Sequence, residues 1–242
     1  MSGTLLQAWQ AVVDHPLFWV GMTLAAYQLG VALYQRTKLA VFHPVLVSTA
    51  VLVLVILAVG QDYAHYREAV QPLQVLLGPA TVALAVPLYM NFRRIRSYFW
   101  PVLICLLVGG TLATVLAVLL AWLLGAEPMI MMTLAPKSVT SPIAMLVAEQ
   151  IGGVAALAAV FVMFTGVLGA IFGPMLLRLC GVDHPAAWGM AMGLTAHAVG
   201  TSRALEEGEE AGAFSALAMS LMGTATAFLL PLAVSLWMVF QG

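Results

Sequence analysis

Long apolar runs, separated by short polar stretches, dominate the chain from one end to the other. Most of these runs approach or exceed the roughly 20 residues that an α-helix needs to cross the hydrocarbon core of a bilayer. The runs cover residues 16–34, 43–60, 73–90, 100–124, 129–148, 151–177, 186–205 and 211–240. They are continuous rather than alternating, which favours helices over a transmembrane barrel. The pattern predicts an all-α polytopic membrane protein with about six to eight membrane segments.

Composition excludes the main soluble classes. Hydrophobic residues make up 63% of the 242 residues and charged residues only 8%, whereas a soluble domain has roughly 25% charged residues. This rules out a soluble globule, a disordered chain and a nucleic-acid binder, which needs a basic surface. The lipid bilayer is therefore the expected surroundings of the chain.

The few basic residues predict the orientation. Arg36 and Lys38 lie between the first two runs, and Arg93, Arg94 and Arg96 lie between the third and fourth. Short loops rich in Lys and Arg stay in the cytoplasm. We therefore expect a bacterial inner-membrane protein with its amino terminus outside.

The expected single membrane domain, residues 1–242, has an N-terminal half, residues 16–125 with the first four spans, and a C-terminal half, residues 128–242 with both polar segments. Weak internal similarity indicates a unit of interrupted segment and long helix that occurs up to three times. The alignments pair residues 77–88 with 134–145 and residues 136–158 with 196–218. Repeats built around interrupted helices are typical of secondary transporters, and the residues alone leave open whether these repeats are parallel or inverted.

The segment from Ala135 to Pro142 concentrates polar chemistry between two apolar runs. An irregular backbone cannot face lipid, because unpaired N–H and C=O groups are costly there. Pro142 suits the first turn of a new helix and Ser141 its N-cap. The positive end of that helix favours an anion. The predicted carboxylate-binding residues are Lys137, Ser138, Thr140 and Ser141, with Pro136 and Pro142 shaping the backbone. The alternative is a lysine that reaches the membrane interface beside a proline-rich loop.

A second polar segment covers residues 195–210. His197 and Thr201 share a helix face if the stretch is helical, and ionisable groups within apolar segments are usually functional. We expect His197, Thr201 and Arg203 to complete the site and Gly200 to break the helix. The alternatives are a core histidine with one backbone partner and a solvated acidic loop. The candidate ion-pair or coupling carboxylates are Glu149, Glu206 and Glu207.

Glycine and proline mark further structural positions. Gly78 to Pro87 has no charge, so Pro79 and Pro87 either shape a backbone-lined site or kink a packing helix. The Gly152–Gly153 doublet and two GxxxG pairs predict close helix contacts. Those pairs are Gly169 with Gly173 and Gly189 with Gly193.

An intramembrane enzyme is not expected. The sequence contains no HExxH or GxSxG motif. Asp14, Asp62 and Asp183 all fall in predicted loops, and the histidines show no metal-ligand spacing. We expect no metal and no cofactor other than a coupling proton or sodium ion.

Three stretches resemble the LrgB/CidB family over nearly the whole chain. They are residues 134–145 (LAPKSVTSPIAM), 148–153 (AEQIGG) and 196–215 (AHAVGTSRALEEGEEAGAFS), with Ser141 where the family often has Thr. The resemblance implies a holin- or antiholin-like role in murein hydrolase control and cell lysis, beside a small LrgA/CidA-like membrane protein. It equally implies transport, because a chloroplast member is a glycolate/glycerate translocator and bacterial relatives are linked to pyruvate.

The resemblance and the anion-binding segment together favour a secondary transporter for small monocarboxylates. Alternating access is expected to be elevator-like, with the first span part of a homodimeric scaffold. The rival is a holin-like lysis regulator without substrate specificity, although the clustered polar residues argue against a wide pore. A third alternative is a structural subunit for a small membrane protein.

Overall fold

Every regular element in the part of the chain that the structure describes is a helix, which confirms the all-α prediction. The computed structural model describes residues 2–37, 42, 44–76, 79, 82–83 and 85–241. The chain separates into two compact units, residues 1–83 and 84–242.

Four described helices are long and apolar enough to cross a membrane: Pro16–Thr37, Phe99–Leu123, Ala155–Leu179 and Glu209–Trp237. A fifth crossing results if Pro44–Val59 and Tyr63–Ala69, which are bent by 119° at their junction, count as one span. The predicted number of six to eight segments is therefore not confirmed. Two of the predicted segments, residues 129–148 and 186–205, form hairpins rather than single straight helices.

Unit 1 packs around a buried tryptophan. Its helices are α1 (Ser2–Val13), α2 (Pro16–Thr37), α3 (Pro44–Val59), α4 (Tyr63–Ala69) and α5 (Gln71–Val75). Trp19 on α2 is fully buried, and its indole N–H donates to the Val13 carbonyl at 2.8 Å. Tyr66 stacks edge-on against Trp19 and exchanges a hydrogen bond with Thr23. The polar tips of both aromatic side chains are thus satisfied inside an apolar cluster.

Unit 2 contains both polar segments of the sequence. Its helices are α6 (Ala85–Met90), α7 (Phe92–Ser97), α8 (Phe99–Leu123), α9 (Pro128–Leu134), α10 (Ser141–Gln150), α11 (Ala155–Leu179), α12 (Pro185–Glu207) and α13 (Glu209–Gln241). A π-helical turn, Cys105–Gly109, interrupts α8. Pro87 lies inside α6, whereas residues 78, 80, 81 and 84 of the predicted segment from Gly78 to Pro87 lie outside the described residues.

The first polar segment forms a re-entrant hairpin, here called hairpin 1 (residues 128–150: α9, the connecting residues 135–140, and α10). The turn after α10 returns to α9, because the Val154 N–H donates to the Thr133 hydroxyl at 2.9 Å. A Cβ added to Gly153 would lie 2.8 Å from the Thr133 backbone nitrogen. The turn itself requires glycine at Gly152, where φ is +86°. The turn that leads into α11 therefore lies against the carboxyl-terminal end of α9.

The second polar segment forms hairpin 2 (residues 185–207, the whole of α12). Its first arm is residues 185–196 and its second arm residues 198–207, because His197 has non-helical angles of φ 42° and ψ −128°. Gly200 lies against the backbone carbonyl of Met192, although a straight helix would place residues eight apart about 12 Å from one another. The chain therefore reverses at His197. The prediction that Gly200 breaks the helix is wrong: its missing side chain lets the two arms touch.

Hairpin 2 enters unit 2 from the end opposite to hairpin 1. α11 starts at the base of hairpin 1 and ends at Arg178, which is 3.9 Å from Glu207 at the base of hairpin 2. Along the way α11 runs antiparallel to the first arm of hairpin 2. The contacts that show this pair Gly166 with His197, Gly169 with Ala196 and Gly173 with Met192.

α13 then runs back beside hairpin 2. It packs parallel to the first arm, because Gly189 contacts Ala211 and Gly193 contacts Ser215. Each contact is between a glycine and a backbone carbonyl, which a side chain on either glycine would prevent. The close approach predicted for both GxxxG pairs is confirmed.

Hairpin 1 with α11, and hairpin 2 with α13, are therefore two copies of one arrangement. Each copy contains one re-entrant hairpin and one full-length helix. Because α11 runs from one end of unit 2 to the other, the second copy starts at the end where the first one finishes. The two repeats are inverted, which the sequence alone left open. The internal alignment of residues 136–158 with 196–218 pairs Lys137 with His197, the two hairpin tips.

Candidate functional site

The tip of hairpin 1 is formed by two tight backbone turns. The Lys137 N–H donates to the Leu134 carbonyl at 3.0 Å, and the Val139 N–H donates to the Pro136 carbonyl at 3.3 Å. Thr140 is extended and occupies the N-cap position of α10, with no side-chain capping bond. Ser141 is therefore not the N-cap as predicted, although Pro142 does lie in the first turn of α10. The polar N–H groups at this helix start face the tip without a side-chain acceptor.

Lys137 is a cation without a nearby carboxylate. Its ammonium donates to the hydroxyl of Ser138 at 3.2 Å, and Ser138 is itself only 2% exposed. Within the described residues, no ion pair of 4.0 Å or less involves Lys137. Glu149 is exposed at the far end of α10, so it does not neutralise the lysine. The tip of hairpin 1 thus holds a positive charge that is available to an anion.

The tip of hairpin 2 is held by His197. The side chain is buried, and its Nε2 is 2.9 Å from the Val162 carbonyl of α11. A Cβ on Gly166 would lie 2.6 Å from the imidazole, so the ring packs directly on the α11 backbone. The bond to one backbone carbonyl agrees with the alternative that His197 is a core histidine. Its position at a reversed chain tip is the feature that the sequence pattern did not predict.

Two buried hydroxyls support the second tip. Thr201 donates to the His197 carbonyl at 2.9 Å and lies 3.0 Å from the hydroxyl of Ser215 on α13. Thr201 and Ser215 are both almost completely buried. Ser215 was missed by the sequence analysis, although a hydroxyl within an apolar helix needs a partner in the membrane and is a signal in itself.

The two tips come together. Val139 at the first tip and Val162, whose carbonyl bonds the His197 imidazole, belong to one buried cluster. Val139, two residues beyond Lys137, belongs to the same buried cluster as Leu194, three residues before His197. The structure thus brings together Lys137 and Ser138 from one tip with His197 from the other.

The arms of hairpin 2 are too short to cross a bilayer. The first arm of hairpin 2 spans residues 185–196, and twelve helical residues rise about 18 Å. The hydrocarbon core is about 30 Å thick, so an arm that starts at one face of the bilayer places its tip near the midplane. Polar and charged side chains at that depth are costly, and they are a functional-site hypothesis by default.

Arg203 lies elsewhere, at the base of hairpin 2. Its guanidinium pairs with Glu206 at 2.8 Å and with Glu207 at 2.6 Å, and Glu207 also faces Arg178. The predicted ion pairs with Glu206 and Glu207 are confirmed. The structure does not bring Arg203 to the tips, because these carboxylates hold it six residues further along the second arm.

The same end of unit 2 carries further polar contacts. Arg94 on α7 pairs with Glu210 on α13 at 2.8 Å. Asn91 donates to Glu209 at 3.4 Å. The predicted cytoplasmic arginine loop and the acidic turn after hairpin 2 therefore share one end of unit 2, and we call it the arginine end.

Fold and site define the class: a helical membrane protein with inverted repeats whose re-entrant hairpins meet at a polar, cationic centre. The chain matches the LrgB-like family over residues 23–236, and it belongs to this family.

Relatives cover nearly the whole chain. The uncharacterized protein YwbG of Bacillus subtilis is 37% identical over 88% of this chain and 95% of its own length. The uncharacterized protein YxaC of the same organism is 36% identical over 89% and 94%. The antiholin-like protein LrgB of Bacillus mycoides is 31% identical over 90% and 95%. No solved structure matches the chain.

Proposed function

We propose that this protein is a secondary transporter of small monocarboxylates with a 2-hydroxy or 2-oxo group. One observation carries the proposal: two re-entrant hairpins enter unit 2 from opposite ends and meet at Lys137 and His197. Interrupted helices of inverted repeats that meet near the midplane are the usual substrate site of secondary transporters.

The chemistry of the tips favours an anion. Lys137 has no carboxylate partner among the described residues, and the start of α10 lacks a side-chain cap. A carboxylate bound there would receive the ammonium charge and the N–H groups of the helix terminus. The hydroxyls of Ser138, Thr140 and Ser141 lie on the same tip and are suited to a small oxygen-rich solute.

The inverted arrangement supports alternating access. A site between two hairpins of opposite entry can open to either side when the hairpins move together against the other helices. We expect this motion to be elevator-like, with unit 1 as part of a homodimeric scaffold. The arginine end would face the cytoplasm of a bacterial inner membrane, since Lys and Arg accumulate on that side. A proton or sodium ion is the expected coupling ion, with His197 and Glu149 as the titratable candidates.

The test is exchange of labelled glycolate by the purified protein in liposomes. We expect saturable exchange that is lost in Lys137→Met, because that change removes the charge while keeping much of the side-chain volume. Arg178→Met is the matched control, since Arg178 is an exposed cation at the arginine end and should leave exchange intact. Lack of saturable exchange by the unmodified protein would refute the proposal.

The second candidate is the antiholin-like role, which the name of the Bacillus mycoides relative favours. In that role the chain would regulate murein hydrolase activity and cell lysis, beside a small LrgA/CidA-like membrane protein. A holin-like assembly would release dyes of any charge from liposomes, and the release would not depend on Lys137. Dye retention together with Lys137-dependent glycolate exchange favours the transporter, whereas dye release without saturable exchange favours the rival.

A further inference from the structure

We infer that His197 is the specificity-determining residue of the site and that it selects acids carrying a 2-hydroxyl group. The inference rests on the proposed function and goes further, because it separates two substrate classes that the anion chemistry of Lys137 treats alike. It stands on three features of the structure: the backbone conformation of His197, the partner of its imidazole, and the packing of that partner, Val162, in the buried cluster that also holds Val139 of hairpin 1.

The backbone at His197 is one that glycine normally adopts. Angles of φ 42° and ψ −128° resemble the first central residue of a type II′ turn, where glycine is strongly preferred. Among the described non-glycine residues, His197 alone has a positive φ. A strained residue at a buried site persists because the surrounding structure holds it there, and such residues concentrate at functional sites. A glycine would make the turn more easily, so the imidazole itself is the reason for a histidine here.

The partner of the ring decides which nitrogen carries the proton. Nε2 lies 2.9 Å from the Val162 carbonyl oxygen, and a carbonyl only accepts hydrogen bonds. Nε2 must therefore be the N–H donor. In the neutral imidazole the other nitrogen, Nδ1, is then an acceptor. The α11 backbone thus fixes the tautomer of His197 and the orientation of its ring.

An acceptor on one tip and an ammonium group on the other divide the recognition of the substrate between them. Lys137 attracts the carboxylate, which every candidate acid carries. Nδ1 of His197 accepts a hydrogen bond, which a 2-hydroxyl group donates and a 2-oxo group cannot. An acid without either group would leave Nδ1 unpaired in a buried site. Sites built to bond a substrate hydroxyl reject analogues that lack it for this reason.

A matched three-carbon series tests this selectivity. Lactate, pyruvate and propionate share a carboxylate and differ only in the hydroxyl, oxo or hydrogen substituents at carbon 2. They would be compared as competitors of labelled glycolate exchange in liposomes. We expect lactate to compete roughly tenfold better than pyruvate and propionate. Lactate forms one hydrogen bond to Nδ1, whereas the other two acids leave Nδ1 unpaired.

Two variants locate the selectivity. His197→Gly keeps the turn, since glycine adopts this φ readily, and removes the acceptor; the three competitors should then agree within about threefold. Gly166→Ala keeps the imidazole but displaces it, because the new Cβ would lie 2.6 Å from the ring. Gly169→Ala is the matched control on α11, with a Cβ 2.6 Å from that of Ala196. Only the first of these two alanine variants should reduce the preference for lactate.

The outcomes separate this inference from the proposed function. Lys137-dependent exchange in which lactate and pyruvate compete equally well would overturn the role of His197 and leave the transporter standing. An undiminished preference for lactate in both His197→Gly and Gly166→Ala would do the same. Absence of any saturable exchange by the unmodified protein overturns both.

Discussion

The contact between hairpin 2 and α13 at Gly193 gives a quantitative test of the inverted-hairpin architecture. A Cβ at this position would collide with the Ser215 carbonyl oxygen and lie 2.9 Å from the Cβ of Ala218. The carbonyl belongs to the backbone of a long helix and cannot rotate away. Gly193→Ala therefore requires the first arm of hairpin 2 and α13 to separate by a few tenths of an ångström or more.

The expected cost follows from overpacking. Extra methyl groups in a well-packed interior typically destabilise by about 1–3 kcal/mol. In soluble proteins of 150–250 residues, each kcal/mol lowers the melting temperature by about 2–4 °C. We therefore expect Gly193→Ala to melt roughly 2–12 °C below the unmodified protein. The measurement is thermal unfolding in detergent, followed by tryptophan fluorescence.

Two alanine variants calibrate the result. Gly173→Ala would meet the flexible sulfur of Met192 at 2.6 Å, which can move aside, so its loss should be smaller. Gly21→Ala places its Cβ in open space on α2; it should be neutral or slightly stabilising, because alanine is the better helix former by up to about 1 kcal/mol. Equal melting temperatures for the Gly193→Ala and Gly21→Ala proteins would refute the close contact between hairpin 2 and α13.

Two further expectations concern side chains outside the tips. Thr133→Val removes the acceptor of the Val154 N–H and should cost about 1 kcal/mol, measured as the same melting shift. Thr195→Val, an exposed hydroxyl, is its control; an equal loss in both would contradict a specific role for Thr133. Arg203→Gln breaks ion pairs at the arginine end and should change stability by less than about 1 kcal/mol while glycolate exchange continues. Loss of exchange in that variant would show that Arg203 contributes to the substrate site.

Much of the local structure could be predicted from the apolar runs and the breakers. The run at residues 151–177 became α11, and the Pro142 signal placed the start of α10 within one residue. The ion pairs of Arg203 with Glu206 and Glu207 followed from helical spacing. These features depend only on neighbours within about one helical turn, so a linear pattern is sufficient to predict them.

The chain reversals were harder to predict. The run at residues 186–205 contains no proline, and Gly200, the glycine expected to break it, is helical. The reversal occurs at His197, and non-glycine residues only rarely adopt a positive φ. Contacts with α11 and α13 hold it there, and those helices are distant in sequence. Arg203 was placed at the site because ionisable groups beside an apolar run are usually functional, whereas its ion pairs hold it at the base of hairpin 2.

The sequence by itself determined that this is a helical membrane protein, where its polar chemistry lies, and the family to which it belongs. Scarcity of charge made Lys137 and His197 conspicuous, since each is costly in an apolar segment. Only the tertiary structure decided that the two residues meet, that Arg203 lies apart, and that the repeats are inverted. The physical reason is that the direction of a hairpin depends on backbone contacts between helices, which glycine permits but does not specify.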